Sequence, residues 1–147
     1  MIARNPMTAF WDASAIVPLC VPGMGRRSGR ELLRRENPVV WWGASVEVAS
    51  ALARLEREGA LAGAMAQAAW HRLDTLRSAW REVQPTSELR ELAQDQLRVH
   101  ALRAGDALQL AAALVWCKQR PRRRPFVCLD RRLREAAERT GFEALEF

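Results

Sequence analysis

The sequence predicts an α/β fold of three layers, in which a mostly parallel central sheet of four to five strands is flanked by helices. Short apolar segments alternate along the chain with longer segments whose apolar residues recur at helical spacing, which is typical of a parallel sheet covered on both faces. The length of 147 residues suits one domain with its own core. We predict that domain over residues 7–147, with Met7 as the natural start and residues 1–6 as a loose extension.

The first half of the chain begins with an apolar segment at residues 10–17, which predicts a short buried strand that runs into a turn. Prolines and glycines of residues 18–25 form the expected loop, and residues 26–36 predict an amphipathic helix. A second apolar strand is expected at residues 38–42, ended by Gly43.

A helical hairpin is predicted at about residues 45–80. Ser45 is the expected N-cap of its first helix, and Gly59 fits the position just after that helix. The second helix is predicted at residues 61–80, and the short linker favours antiparallel pairing. The side chains expected to face inward are Val48, Leu52, Leu55, Leu61, Met65, Ala69, Leu73, Leu76 and Trp80.

The second half of the chain continues the alternation. We predict a strand at residues 80–84 and then a helix capped by Thr86, with Leu89, Ala93 and Leu97 inward. The remaining predicted elements are an apolar helix at residues 102–116, a strand at 126–130, a helix at 131–140 and an edge strand at 142–147.

Composition narrows the class of protein. No apolar run is long enough to span a membrane and no signal-peptide pattern opens the chain, so we expect a cytoplasmic protein. The 3 cysteines lack metal-type spacing, which favours reduced thiols over disulfides. The formal net charge of +6, nearly all from arginine, permits a polyanionic partner such as nucleic acid, or an acidic protein.

Asp106 is the least expected residue of the apolar helix. A helix this apolar is buried on most sides, and a lone buried carboxylate is costly unless something pairs with it. Parallel strands place their carboxyl ends at one edge of the sheet, where helix N-termini also lie. Topology therefore sends Asp12, Glu47, Asp106 and Asp130 to the same edge.

Clustered carboxylates repel one another, and a hard divalent cation relieves that repulsion. Mg²⁺ or Mn²⁺ would be held by these oxygens, since no Cys or His set has zinc spacing. Each acid also has a structural explanation on its own: Asp12 and Asp130 as caps of turns or helices, and Glu47 as a carboxylate complementing a helix dipole.

Four segments of the chain, in order, resemble the successive motifs of PIN-domain proteins, and among these the VapC toxins of bacterial toxin–antitoxin pairs. They are Asp12-Ala13-Ser14-Ala15-Ile16-Val17, Glu47 opening an alanine-rich helix, the stretch from Leu102 to Ala111, and Leu129-Asp130-Arg131-Arg132-Leu133. The resemblance covers essentially residues 7–147. It departs at Cys128, where Thr or Ser is common, and at Gly105, where Ala is common.

The resemblance implies a PIN-like fold and an endoribonuclease that depends on Mg²⁺ or Mn²⁺. Asp12, Glu47, Asp106 and Asp130 match the family's acidic positions, so they are the expected catalytic and metal-binding residues, and Ser14 matches a supporting hydroxyl residue. It also implies a homodimer, with the helical hairpin as the contact surface, and a VapB-like antitoxin whose C-terminal segment covers the active site.

Arginines on the carboxylate side of the predicted sheet are candidate contacts to RNA phosphates, although each could instead form a surface ion pair. They are Arg26, Arg27, Arg103, Arg131 and Arg132. The basic loop at residues 120–124 belongs to the opposite edge. Two alternatives stay open: a catalytically inactive PIN-like module that binds RNA or protein, and a small-molecule phosphohydrolase, which would want an Asp where Ser14 stands.

Overall fold

The computed structural model describes residues 8–36 and 38–147. This part of the chain contains five strands and seven helices. In chain order they are β1 (Ala9–Trp11), α1 (Ala13–Cys20), α2 (Arg27–Arg35), β2 (Pro38–Trp41), α3 (Ala44–Arg57), α4 (Gly63–Ala79), β3 (Arg81–Val83), α5 (Ser87–Val99), α6 (Ala104–Trp116), β4 (Pro125–Val127), α7 (Arg131–Thr140) and β5 (Glu143–Leu145). The predicted start at Met7 and extension at residues 1–6 lie outside the described residues.

The strands form one sheet in the order β3-β2-β1-β4-β5. Every pairing in it is parallel: Phe10 pairs with Val39 on one side and with Phe126 on the other. The chain therefore adds β2 and then β3 on one side of β1, and afterwards adds β4 and β5 on the other side. Ligand sites of parallel sheets form where this reversal occurs, beyond the carboxyl ends of the strands. Here that place is the end of β1 and β4.

Alternate side chains of the strands pack into two separate hydrophobic cores, one on each face of the sheet. Trp11 and Val40 pack with α1, α3 and α4 on one face of the sheet, whereas Phe10, Val39 and Phe126 pack with α5, α6 and α7 on the other. The predicted three-layer α/β fold is thus confirmed, with the sheet wholly parallel and five-stranded. The predicted hairpin is also present, because α3 and α4 pack against each other.

The prediction for residues 13–17 is wrong. These residues form α1 rather than a strand running into a turn, and α1 continues through Pro18. Asp12 begins the helix as its N-cap, since its side chain accepts a hydrogen bond from the Ser14 backbone N–H at 3.1 Å. A short apolar run does not distinguish a buried strand from a buried helix, and here the cap decides.

Three smaller predictions also fail. Ser45 is not the N-cap of α3, because the helix starts directly from Gly43, whose carbonyl accepts from the backbone N–H groups of Val46 and Glu47. Met65 and Leu97, expected inward, are 50% and 42% exposed. Thr86 and Gly59 behave as predicted: Thr86 caps α5, and Gly59 follows α3 with a positive φ of 75°.

No helix within residues 8–36 and 38–147 combines the length and apolar character needed to cross a membrane.

Candidate functional site

Four carboxylates from four separate segments line one cavity of about 470 Å³ at the carboxyl edge of the sheet. Asp12 follows β1 and Asp130 follows β4, while Glu47 and Asp106 lie in the first turns of α3 and α6. The structure therefore brings together all four acids that the sequence singles out. Ser14 lines the same cavity.

Asp12 and Asp130 each use one carboxylate oxygen to cap a helix. Asp12 Oδ2 accepts from the Ser14 backbone N–H at 3.1 Å, and Asp130 Oδ1 accepts from that of Leu133 at 2.9 Å. The structural and the functional explanation of these residues are thus compatible, because the cap occupies one oxygen and fixes the carboxylate. Among the described residues the second oxygen of each makes no hydrogen bond.

Glu47 is held by a residue that the sequence does not single out. Gln109 lies one turn after Asp106 on α6, its side chain is completely buried, and its Nε2 donates to Glu47 Oε2 at 3.0 Å. The Gln109 Oε1 atom is buried without a hydrogen-bond partner in the described part of the chain. Buried amides rarely leave an acceptor unsatisfied, so the unpaired Gln109 Oε1 atom is an unusual feature of this core.

Ser14 joins the loop after β4 to the start of α1. Its Oγ accepts from the backbone N–H groups of Leu129 at 3.0 Å and Asp130 at 3.2 Å. The buried Cys128 Sγ lies 3.7 Å from Asp12 Oδ2 and donates to the Asp130 carbonyl at 3.3 Å. Ser14 and Cys128 thus fix the position of the Asp130 loop relative to Asp12.

The acids of the cavity raise one another's pKa values. The pKa of Glu47 is raised from 4.5 to about 7, chiefly by burial; the charges of Asp12 and Asp106 contribute to the rise, and the Gln109 hydrogen bond opposes it. Burial also raises the pKa of Asp12, with a contribution from Asp106. Asp106 has a raised pKa because of burial and of Asp130. Such mutual shifts are typical of functional sites and of sites that gain from a cation.

The donor set fits a hard divalent cation in kind. The cavity lining carries carboxylates and no His or Cys, which suits Mg²⁺ or Mn²⁺. Within residues 8–36 and 38–147, however, no three His, Cys, Asp or Glu side chains lie close enough to hold one ion together. An ion bound here would therefore take fewer than three of these carboxylates as direct ligands, with water completing its shell, or would draw the carboxylates closer together.

Three of the five arginines predicted as phosphate contacts lie beside this cavity. Arg103, Arg131 and Arg132 line an adjoining cavity of about 520 Å³ that shares Asp106 and Asp130 with the first. Arg131 also pairs with Glu135 at 3.1 Å. Arg26 and Arg27 line neither cavity, and Arg27 pairs with Glu31 at 3.1 Å.

Arg54 is a second residue that the sequence analysis misses. It lies seven residues after Glu47 on α3, which places it on the same helix face, and it lines the acidic cavity. Among the described residues its guanidinium makes no ion pair. The helical spacing of Glu47, Ala51 and Arg54 is a signal that the sequence does carry.

Solved structures with the same fold include two toxin–antitoxin complexes. A toxin–antitoxin complex from Klebsiella pneumoniae matches with a TM-score of 0.58 and 15% identity, covering 83% of this chain and 86% of that one. VapBC2 from Rickettsia felis, bound to a DNA fragment from its promoter, matches with a TM-score of 0.67 and 8% identity, covering 96% and 99%. PAE2754 from Pyrobaculum aerophilum matches with a TM-score of 0.63 and 17% identity, covering 98% and 92%.

No protein-family model and no curated protein sequence matches the chain. The likeness to the solved structures therefore lies in the fold alone. The chain has the fold of these toxin–antitoxin structures and of PAE2754, and the PIN-like fold expected from the sequence is confirmed.

Proposed function

We propose that this chain is a metal-dependent endoribonuclease and the toxin of a toxin–antitoxin pair. One observation carries the proposal: Asp12, Glu47, Asp106 and Asp130, which are distant in sequence, line a single cavity. The shared fold with two toxin–antitoxin complexes supports it.

In this proposal Asp12, Glu47 and Asp106 hold Mg²⁺ or Mn²⁺, directly or through water, and Asp130 completes the site or positions the attacking water. The bound cation would activate that water and neutralise charge on the phosphate. The helix caps on Asp12 and Asp130 keep one oxygen of each carboxylate fixed. Their other oxygens stay available to the cavity, so these residues can contribute ligands without rebuilding the loops that carry them.

RNA would be held by the arginines that surround the acids. Arg103, Arg131 and Arg132 lie on one side of the cavity and Arg54 on another, so a phosphate at the acids would meet guanidinium groups from two directions. Electrostatic attraction to the backbone is independent of sequence, which suits a nuclease that must capture a flexible strand.

The direct test is to incubate RNA and Mg²⁺ or Mn²⁺ with the purified chain, free of other proteins, and to measure cleavage of the RNA. We expect Asp12→Asn and Asp106→Asn to abolish cleavage, because each removes a carboxylate charge that holds the cation. Asp95→Asn is the matched control, since Asp95 is an exposed acid on α5, and it should cleave like the parent chain. Cleavage that survives both Asp12→Asn and Asp106→Asn would overturn the assignment.

A catalytically inactive module is the alternative that the separation of the carboxylates favours. Calorimetric titration with Mn²⁺ distinguishes the two, because an inactive module should show no binding that depends on Asp12 or Asp106. A small-molecule phosphohydrolase is less consistent with Ser14, and hydrolysis of a phosphate ester without cleavage of RNA would support it instead.

We extend the proposal to partners and location. An antitoxin of the VapB kind would cover the acidic cavity, two copies of the chain would pair through α3 and α4, and the protein would act in the cytoplasm. Co-purification with the product of a neighbouring gene tests the first, and the mass measured by light scattering tests the second.

A further inference from the structure

A third cavity continues the line formed by the two already described. It has a volume of about 280 Å³ and lies between α7 and the segment that joins α5 to α6. Arg132 lines both this cavity and the arginine-rich one, which in turn shares Asp106 and Asp130 with the acidic one. The three cavities are therefore adjacent, each sharing lining residues with the next.

The wall of this third cavity is one face of α7. Arg132, Ala136 and Arg139 are spaced at i, i+4 and i+7, so the two guanidinium groups flank a small apolar residue. At a rise of about 1.5 Å per residue, the two arginine backbones are about 10 Å apart. In the described part of the chain neither Arg132 nor Arg139 forms an ion pair.

The opposite wall is formed by His100 and Leu102. The His100 ring is fixed against α7, because its Nε2 lies 3.4 Å from Thr140 Oγ1. Burial lowers the pKa of His100, and the charge of Arg139, which lines the same cavity, lowers it further. The one acid in the lining, Glu135, pairs with Arg131 at 3.1 Å, which offsets its charge.

We propose that this cavity, between Arg132 and Arg139, is a subsite for a nucleotide of a single-stranded RNA that flanks the phosphate held at the acids. The two arginines would contact its phosphate, and the apolar surface of Leu102 and Ala136 would receive its base. This inference rests on the proposed ribonuclease function. The inference adds the path of the bound RNA to that function, because the RNA would run from the acidic cavity across Arg132 towards Arg139.

The test measures binding without cleavage. Fluorescence anisotropy in EDTA would follow single-stranded RNAs of 3 and 12 nucleotides binding to the full chain across a salt series. We expect Arg139→Ala to weaken binding of the longer RNA by about threefold to tenfold and to reduce its salt slope by about 0.7, the contribution of one phosphate contact. The shorter RNA also reaches the neighbouring subsite, so its binding should weaken as well.

Two variants sharpen the result. Arg139→Lys keeps the charge and should keep the salt slope. Arg122→Ala removes the same charge from the loop before β4, at the opposite edge of the sheet, and should leave binding of both RNAs unchanged. Equal effects of Arg139→Ala and Arg122→Ala on binding of the longer RNA would overturn the subsite.

Failure of this inference can be distinguished from failure of the nuclease proposal. A chain that cleaves RNA with Mn²⁺ but is indifferent to Arg139→Ala overturns the subsite alone. A chain that shows Arg139-dependent binding but never cleaves retains the subsite and overturns the nuclease. A parent chain that binds neither RNA in EDTA overturns the subsite.

Discussion

Glu47 should make the metal-free protein less stable as the pH rises. Its pKa is raised from 4.5 to about 7, chiefly by burial. Between these values the folded chain keeps a proton that the unfolded chain has lost, so the free energy of unfolding falls as pH increases through about 7. The stability is fully present below about 4.5, which is the reverse of the behaviour of a salt-bridged carboxylate.

The size of this effect follows from the shift. A rise from 4.5 to about 7 corresponds to about 3 kcal/mol in full, and because the Glu47 side chain is only half-buried we expect about 1–2 kcal/mol. Asp12 and Asp106 also have raised pKa values, so their contributions have the same sign. The parent chain should therefore lose stability between pH 5 and pH 8.

Urea unfolding in EDTA at pH 5 and pH 8 measures this loss. Glu47→Gln should reduce the difference between the two pH values by about 1–2 kcal/mol. Glu88→Gln, a change at an exposed first-turn acid of α5, should leave the difference as it is. If the parent chain and Glu47→Gln show the same pH dependence, or if stability rises with pH in both, the reasoning about the buried carboxylates is refuted.

Three further predictions concern the surroundings of the site. Gln109→Met removes a hydrogen bond to a carboxylate but also removes the unpaired Oε1, so the free energy of unfolding should change by less than about 1 kcal/mol. The Mn²⁺ affinity measured by calorimetry should fall about tenfold, because the amide positions Glu47. An unchanged affinity would show that it does not. Gly105→Ala should raise the free energy of unfolding by about 0.5–1 kcal/mol, because an added Cβ meets only Glu47 Oε1 at 3.8 Å and a helix favours alanine; destabilisation measured in urea would contradict this. The three cysteines, Cys20, Cys117 and Cys128, are buried, and burial raises their thiol pKa values, that of Cys20 to about 11. A thiol reagent should therefore label none of them until urea unfolds the chain. Rapid labelling of Cys128 in the native protein would contradict the burial of its loop.

The sheet could be predicted because its strands are short apolar runs separated by strong helical patterns. Each strand end then determines where the next residue lies, which is why the positions of Asp12 and Asp130 at one edge followed from topology. Residues 13–17 could not be assigned in the same way, because Ala-Ser-Ala-Ile-Val is compatible with either a buried strand or a buried helix. The capping hydrogen bond of Asp12 settles it, and that bond is visible only in three dimensions.

The immediate surroundings of the acids were harder to predict than the acids themselves. The hydrogen bond between Gln109 and Glu47 joins residues 62 positions apart in the sequence, and no local sequence pattern predicts it. Arg54 did have a signal, its helical spacing from Glu47, but one arginine among many does not stand out in a basic chain. The exposure of Met65 and Leu97 could not be predicted, because periodicity within a single helix does not report what packs against it.

The position of a bound Mn²⁺ ion tests the central claim most directly, because anomalous scattering from crystals grown with Mn²⁺ locates the ion without reference to activity. We predict a single or paired anomalous peak in the acidic cavity, within ligand distance of Asp12, Glu47 and Asp106 side chains drawn together around it. Saturating Mn²⁺ that leaves this cavity without a peak, or that binds at another surface, would contradict the account.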